Sequence, residues 1–525
     1  MADISTETKD DTNAPAPGDG DGAAPPPAPD GPATPPRDEP APAEEAKPEG
    51  APPRPEPQPN GAEAQTNGAE AGPDEAGEEE INIGLPQVKG AISLPPDRPL
   101  ANAEPILLND RFDIHPAKPL HDLDPPSARA FEAADRLEPT RAIFALVCIP
   151  GMPIRTDVIK QIVGEEIPGT LDLLDEGAVD WPLLGQRCQI LVLQRPLGGR
   201  AGVITTMELS SHRKADIIRL IVEGVAGGLQ QLSFRSIAHG AIRHDNVFFL
   251  DADRQSVVLG EFVSVPSGFD QPTVFETIER GMANRAGRGE ASKMDDFYSL
   301  GVMLVFLILG RNPTGNLDDH QLIATKIAQT SFMALAGKTQ ISVTYLDALR
   351  GLLNDDQEER WDFEELEHWI SGQRLSTLSS KAISKAPRPL KFGGEEHYFS
   401  RTLAHAMNMK PDGALKLIRD HTLDQWLERG LEEKEMAHAV EQSIVEIDAF
   451  QSDKTIANDI LLARVLMLMD PGAPIRYKSL SFFPKGLGPW LAVELLRKGD
   501  TKIFVEAINR NIADNWFTLQ NQGLP

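Results

Sequence analysis

Residues 238–249 read AHGAIRHDNVFF, and Glu261 follows after two short apolar runs. His239, Arg243, Asn246 and Glu261 bring an imidazole, a guanidinium, a carboxamide and a carboxylate into one region. Such groups move protons, neutralise phosphate or hold a divalent cation. Each also has an ordinary structural use. His239 has no nucleophile or acid partner in the adjacent sequence, so a buried, hydrogen-bonded histidine explains it better than a general base. Asn246 is either a metal ligand or a side chain satisfying nearby backbone groups. Glu261 is either a cation ligand or a carboxylate that is solvated or paired to an arginine. Elsewhere, His397 and His405 lack a carboxylate or cysteine constellation, and no metal site is expected there. The glycines of PLGG and GLGPW do not fit a strand–loop–helix phosphate pattern and read as turns.

Several elements must position these groups. AIFALVCI (142–149) and CQILVLQ (188–194) have the length and β-branched content of strands. Between them, RTDVIKQIVGEEI (155–167) places Val158, Ile159 and Ile162 at helical spacing, with Pro168 as the expected stop. Residues 109–196 therefore predict a small sheet with one helix. Residues 197–373 are mostly helical. SHRKADIIRLIVEGVAGGLQQLSF begins on a serine cap and keeps Ile217, Ile218, Ile221, Val222 and Val225 on one face. NVFFLD and SVVLGEF are short strands flanking a turn. FYSLGVMLVFLILG (297–310) is too short to span a bilayer and reads as a buried core helix over about 296–309. Ser, Lys, Pro and Gly over 376–395 mark a linker. Residues 396–525 predict helices near 402–419, 422–429, 432–449, 455–469, 489–498 and 501–513. Trp426, Leu427, Leu431, Trp490, Phe504 and Trp516 form their core stripe.

Composition bounds the rest. Residues 1–80 are Pro, Ala, Gly and acid, with too little apolar surface to offset the entropy of ordering. A disordered tail and connector is expected over 1–108. It carries more than half of the formal net charge of −28. The acidity argues against nucleic acid or an anionic membrane as the main ligand. The only two cysteines, Cys148 and Cys188, lie in apolar runs. They predict buried small hydrophobes in a reducing compartment. With no secretory signal at the start, a cytoplasmic location is expected.

Five short motifs occur in an order that narrows the fold. HGAIRHDNVFF resembles the protein-kinase catalytic loop, His-Arg-Asp-Leu-x-x-x-Asn. VVLGEFV takes the place of the strand and metal motif ending Asp-Phe-Gly. DDFYSLGVMLVFLILGRNP is similar to the helix start of bacterial serine/threonine kinases. DDQEERWDFEELEHW resembles the segment near the kinase C-terminus that carries a structural arginine, here Arg360. LVLQRPLGG resembles the last small-lobe strand and hinge. The resemblance covers about 110–373. It implies an α+β, bilobal protein kinase-like fold with a small β-rich lobe (109–196) and a large helical lobe (197–375). The linker and an all-α C-terminal region (396–525) would follow.

The resemblance also implies a set of reactive positions, most of them lost. Phosphoryl transfer from ATP is largely positioning and charge neutralisation. HDLDPPSARAFEAAD (121–135), where a Gly-rich loop would lie, has no glycine, and Pro125 and Pro126 remove amide donors. Val147 takes the lysine slot. The helix glutamate slot falls near Val158, beside Asp157. Ala241 takes the proton-acceptor slot and accepts nothing. Arg243 takes the following lysine slot, Asn246 keeps the asparagine, and Glu261 replaces the metal-binding aspartate. The glutamate partner of Arg360 would fall in ANR (283–285). Scaffold positions are kept: His239 and Phe262 in the internal apolar column, Asp296 capping the catalytic-loop backbone, and Gly301 and Arg360 in packing roles. This pattern is that of a pseudokinase, a silent scaffold or allosteric regulator in bacterial signalling. Its expected partners are proteins, such as a kinase or another signalling protein, with no nucleic acid, membrane span or cofactor. A divergent transferase using ATP and magnesium through Arg243, Asn246 and Glu261 is the alternative. A structural or assembly protein is a third reading.

Overall fold

The computed structural model describes residues 103–207, 209–337, 339–373 and 385–521. The tail expected over 1–108 lies outside these residues up to 102, as does the middle of the expected linker (374–384). Asn109 and Asp110 both have positive φ, 49° and 57°. Two such residues in a row make the tight hairpin turn that matches strand twist. They fold Ile106–Leu108 (β1) back onto Phe112–Pro119 (β2). The connector therefore ends before residue 106, because Leu108 gains burial, at 2% exposure.

Ala128–Asp135 (β3), Ile143–Cys148 (β4), Leu173–Trp181 (β5) and Gln186–Gln194 (β6) complete an antiparallel sheet of order β1-β2-β3-β4-β6-β5. Alternation along β4 serves two cores. Ile143, Ala145 and Val147 pack outward with Phe112, Trp181 and Ile190. Phe144, Leu146 and Cys148 pack inward, toward the helical lobe. The two edges of the sheet approach each other. Asn109 Nδ2 donates to Glu176 O at 3.0 Å, and a Cβ on Gly177 would lie 2.8 Å from Leu108 Cδ1.

Between β4 and β5 runs Thr156–Ile162 (α1). It stops well before Pro168, because Gly164 turns at φ +76° and its N–H leaves the helix for Leu173 O. The large lobe follows. Ser211–Ser233 (α2) starts on the Ser210 cap and buries Ile218, Ile221, Val222 and Val225. Val247–Phe249 (β7) and Val257–Leu259 (β8) form a small hairpin. Ile278–Met282 (α3) precedes Lys293–Leu309 (α4), which opens on a Ser292–Asp295 capping box and ends at Gly310, φ +68°. Asp319–Gln329 (α5), Ser331–Leu335 (α6), Val343–Leu352 (α7) and Phe363–Ile370 (α8) surround α4. Gly301 lets α7 approach, since a Cβ there would sit 2.8 Å from Leu352 Cβ. Among the described residues no helix is long and apolar enough to cross a membrane.

The C-terminal region is mainly helical but carries two hairpins that the sequence did not suggest. Leu390–Phe392 (β9) and Glu395–His397 (β10) pair across Gly393–Gly394, both at positive φ, so this part of the expected linker is ordered. Ser400–Met409 (α9) and Pro411–Arg419 (α10) are separate helices, because Pro411 starts the second at its first turn. Thr422–Gly430 (α11), Lys434–Phe450 (α12) and Lys454–Met469 (α13) build the local core with Trp426 and Leu427. Ile475–Tyr477 (β11) and Leu480–Phe482 (β12) form the second hairpin. Pro484–Leu496 (α14), Lys502–Asn509 (α15) and Ile512–Asn521 (α16) end the chain's described part, the last two split at left-handed Asn511. The fold is α+β, with a β-rich small lobe, a helical large lobe and this further helical region. A third apolar cluster joins Met152, Val265 and Ala286 to Ile475, Phe482 and Trp490. Both cysteines are buried and free.

Candidate functional site

Ala241, Arg243, Asn246, Glu261 and Phe262, with His239 and Asp296 beside them, meet where the small and large lobes face each other. His239 stacks on Phe262, with ring centroids 4.5 Å apart. Its Nδ1 accepts from the Ala241 N–H, and its Nε2 lies 3.2 Å from Gly260 O. The second nitrogen is thus placed to donate, which fixes the neutral ring. Burial pushes its pKa down to about 3. Asp296, in the first turn of α4, accepts the backbone N–H groups of His239 and Gly240 at 2.7 Å each. Arg360 donates to Asn354 O and Met294 O and covers the Tyr298 ring. Within the expected ANR segment, Asn284 accepts from the Ala286 N–H and caps a turn.

The remaining polar groups are committed locally. Asn246 Nδ2 donates to Ala241 O at 3.0 Å and to Glu261 O at 2.8 Å. Glu261 Oε2 accepts from the N–H groups of Val263 and Ser264, and Oε1 accepts from Ser264 Oγ. Its carboxyl is raised by burial, against the bonds from Ser264. Arg243 pairs with Asp245 at 2.8 Å and reaches Asp270 O. Asp157 is exposed and meets only Lys160. Val147 is not the residue beside this site. It points to the outer core, while its neighbour Cys148 faces inward. The Cys148 thiol is raised far by burial and further by the charge of Glu261. Val147, expected in the lysine slot, thus faces away from this site and Cys148 faces it, because one residue changes the face of a strand.

Three sets of contacts that sequence reasoning missed close the cleft. The loop between β2 and β3 carries Ser127, whose N–H and Oγ both bond the buried Asp270 carboxylate, at 3.1 and 2.5 Å. Arg200 grips the same loop at the carbonyls of Asp122 and Asp124 and also holds Asp245 O. From the start of α1, Arg155 donates to the carbonyls of Ala238, His239 and Phe262 and pairs with Glu290 at 2.6 Å. No spacing rule marks such an arginine, because its partners are carbonyls far along the chain. The space among Pro125, Ala241, Asn246, Glu261 and Asp270 is about 10 Å³. That is roughly one water, against roughly 300 Å³ or more for a small-molecule pocket.

The buried aspartate has a pH consequence. Burial raises Asp296 to about 7 despite its two backbone donors, above about 3.9 for an unfolded aspartate. Folding then takes up a proton between about pH 4 and pH 7, so stability falls as pH rises through that window. Urea midpoints of the wild type and of Asp296→Asn are expected to diverge across it. The wild type should decline more steeply, by up to about 1.4 kcal/mol per pH unit. Parallel profiles would remove Asp296 as the cause.

No protein-family model matches the chain. It is 25% identical over 211 residues to a calcium and calcium/calmodulin-dependent serine/threonine-protein kinase of Oryza sativa subsp. japonica, covering 38% of this chain and 40% of the relative. It is 24% identical over 178 residues to the serine/threonine-protein kinase ULK3 of Rattus norvegicus, covering 32% and 38%. The matches thus span about two fifths of these relatives' length. A crystal structure of Rad53 1-466 in complex with AMP-PNP superposes with a TM-score of 0.36 at 17% identity, over 46% of this chain and 62% of that one. The two curated relatives support a place in the protein kinase-like superfamily.

Proposed function

We propose that this chain is a catalytically silent kinase-like module that works by binding other proteins, as a scaffold or allosteric regulator of a kinase or another signalling protein. The observation that carries the reading is the closed cleft. Ser127 on Asp270 draws the β2–β3 loop onto the large lobe, and Arg155 ties the start of α1 to the catalytic-loop backbone. Ala241 supplies no proton acceptor, and Cys148 supplies no cation for phosphate. A second point agrees. The stretch from Met282 to Gly289, which follows the metal-motif slot, is covered by the chain's own β11–β12 hairpin and the turn after it. Asn284 N–H donates to Ser481 O, Phe483 N–H to Gly287 O, and Ser481 Oγ to Met282 O. A cytoplasmic setting and a bacterial source are parts of the same proposal.

Thermal unfolding of the full chain tests it, with ATP, ADP or GTP at millimolar concentration, each with and without magnesium or manganese. A ligand that binds only the folded state at a hundredfold excess over its Kd adds about 2.7 kcal/mol of stability. No shift is expected. A metal-dependent rise would overturn the silent reading. It would return Arg243, Asn246 and Glu261 as candidate ligands of a divergent transferase.

A further inference from the structure

A cluster far from the cleft in sequence has a different chemistry. His421 precedes α11, Asp424 lies in its first turn, and Glu441 lies on α12. One ligand atom from each is within 4.8 Å of the other two. His421 Nδ1 is 3.0 Å from Asp424 Oδ2. Asp424 is 4% exposed, and its other oxygen, Oδ1, is buried without a hydrogen-bond partner. A buried carboxylate oxygen with nothing to accept from is costly, and a cation removes that cost. One turn before Glu441 on α12 is His438, whose Nδ1 is 3.9 Å from Glu441 Oε2. A histidine thus stands three residues before a carboxylate twice, His421 just ahead of α11 with Asp424, and His438 with Glu441 on α12.

We propose that His421, Asp424 and Glu441 form a site for a divalent transition-metal ion of the Zn²⁺ type, with water completing its coordination. The donor set decides the class. Imidazole nitrogen with carboxylate oxygen suits zinc and its first-row neighbours, whereas calcium takes six to eight oxygens. Ligands at about 2.1 Å from a tetrahedral ion lie about 3.4 Å apart. The cluster must close by at most about 1.4 Å to reach that spacing. Glu441 and His421 have the freedom to do so, with side chains 54% and 53% exposed. The ion joins the start of α11 to the middle of α12, and the site is independent of the kinase-like cleft.

The test uses the full chain stripped of metal with a chelator, then titrated with Zn²⁺ against a chromophoric competitor. The wild type is expected to take up one tightly bound equivalent more than His421→Ala or Glu441→Gln. Each substitution should weaken that equivalent about tenfold or more. Both side chains are half exposed, so neither change should cost the fold; circular dichroism checks this. Co²⁺ in place of Zn²⁺ should give visible d–d bands in the wild type and lose them in both variants. Zinc uptake that is equal in all three proteins, or absent in the wild type, would overturn the site and leave His421–Asp424 as a structural side-chain hydrogen bond.

Discussion

Glu276→Gln is expected to be the most destabilising single change in the large lobe, by about 3–5 kcal/mol, read as a fall in the urea midpoint. Glu276 is buried at 3% exposure between two buried arginines. Its Oε2 accepts from Arg280 Nε at 2.8 Å and its Oε1 from Arg288 Nη1 at 3.2 Å. Arg288 already sits at about 10, held down by burial and lifted by this carboxylate. Glutamine keeps the shape but removes the charge, leaving two guanidinium groups in the interior with no direct carboxylate partner. That loss is large because an unpaired buried ion costs far more than a pair is worth. The arginines also hold the carbonyls of Gly268, Gln271, Arg288 and Glu290. The loss should therefore loosen the whole stretch from 268 to 290. A midpoint within error of the wild type would show that the two cations are compensated elsewhere.

Arg155→Met is expected to cost about 3 kcal/mol or more and to open the cleft. The guanidinium makes three bonds to carbonyls and one to Glu290. Methionine fills much of the volume and satisfies none of them. Hydrogen exchange is the readout that separates the two effects. Amides of 238–246 and 260–264 should lose protection more than those of α12 and α13, which do not touch Arg155. Uniform loss across the chain would mean general destabilisation without opening.

Parts of this molecule were legible because their signal is local. β4 and β6 are continuous apolar runs, and both strands form where that pattern put them. α4 is apolar on every side and begins on a serine cap, and it is buried along its length. Helix ends set by proline or glycine were harder to place. Pro168 looked like the stop of α1, but Gly164 acts first. The run 402–419 looked like one helix, but Pro411 opens a new one. His239, Phe262 and Asp296, picked out in the sequence, are brought together around the 238–241 backbone. Which face Val147 takes was not legible. Along a fully buried strand both faces are apolar, and no alternation distinguishes Val147 from Cys148. Arg155, Arg200 and Asp270 escaped because their partners lie far along the chain. Glu276 and Arg280 did leave a trace, an acid and a base four residues apart at the start of α3.

The hairpin that covers 282–289 is also a matter of timing. Ser481 and Met282 are 199 residues apart in sequence. At roughly 5–20 residues per second, a ribosome needs about 10–40 s to supply the second after the first. Throughout that interval the nascent large lobe shows Val265 and Ala286 without their apolar cover. A chaperone that binds exposed apolar chain has its window there. A chain cut short before residue 475 would leave Met152, Val265 and Ala286 uncovered.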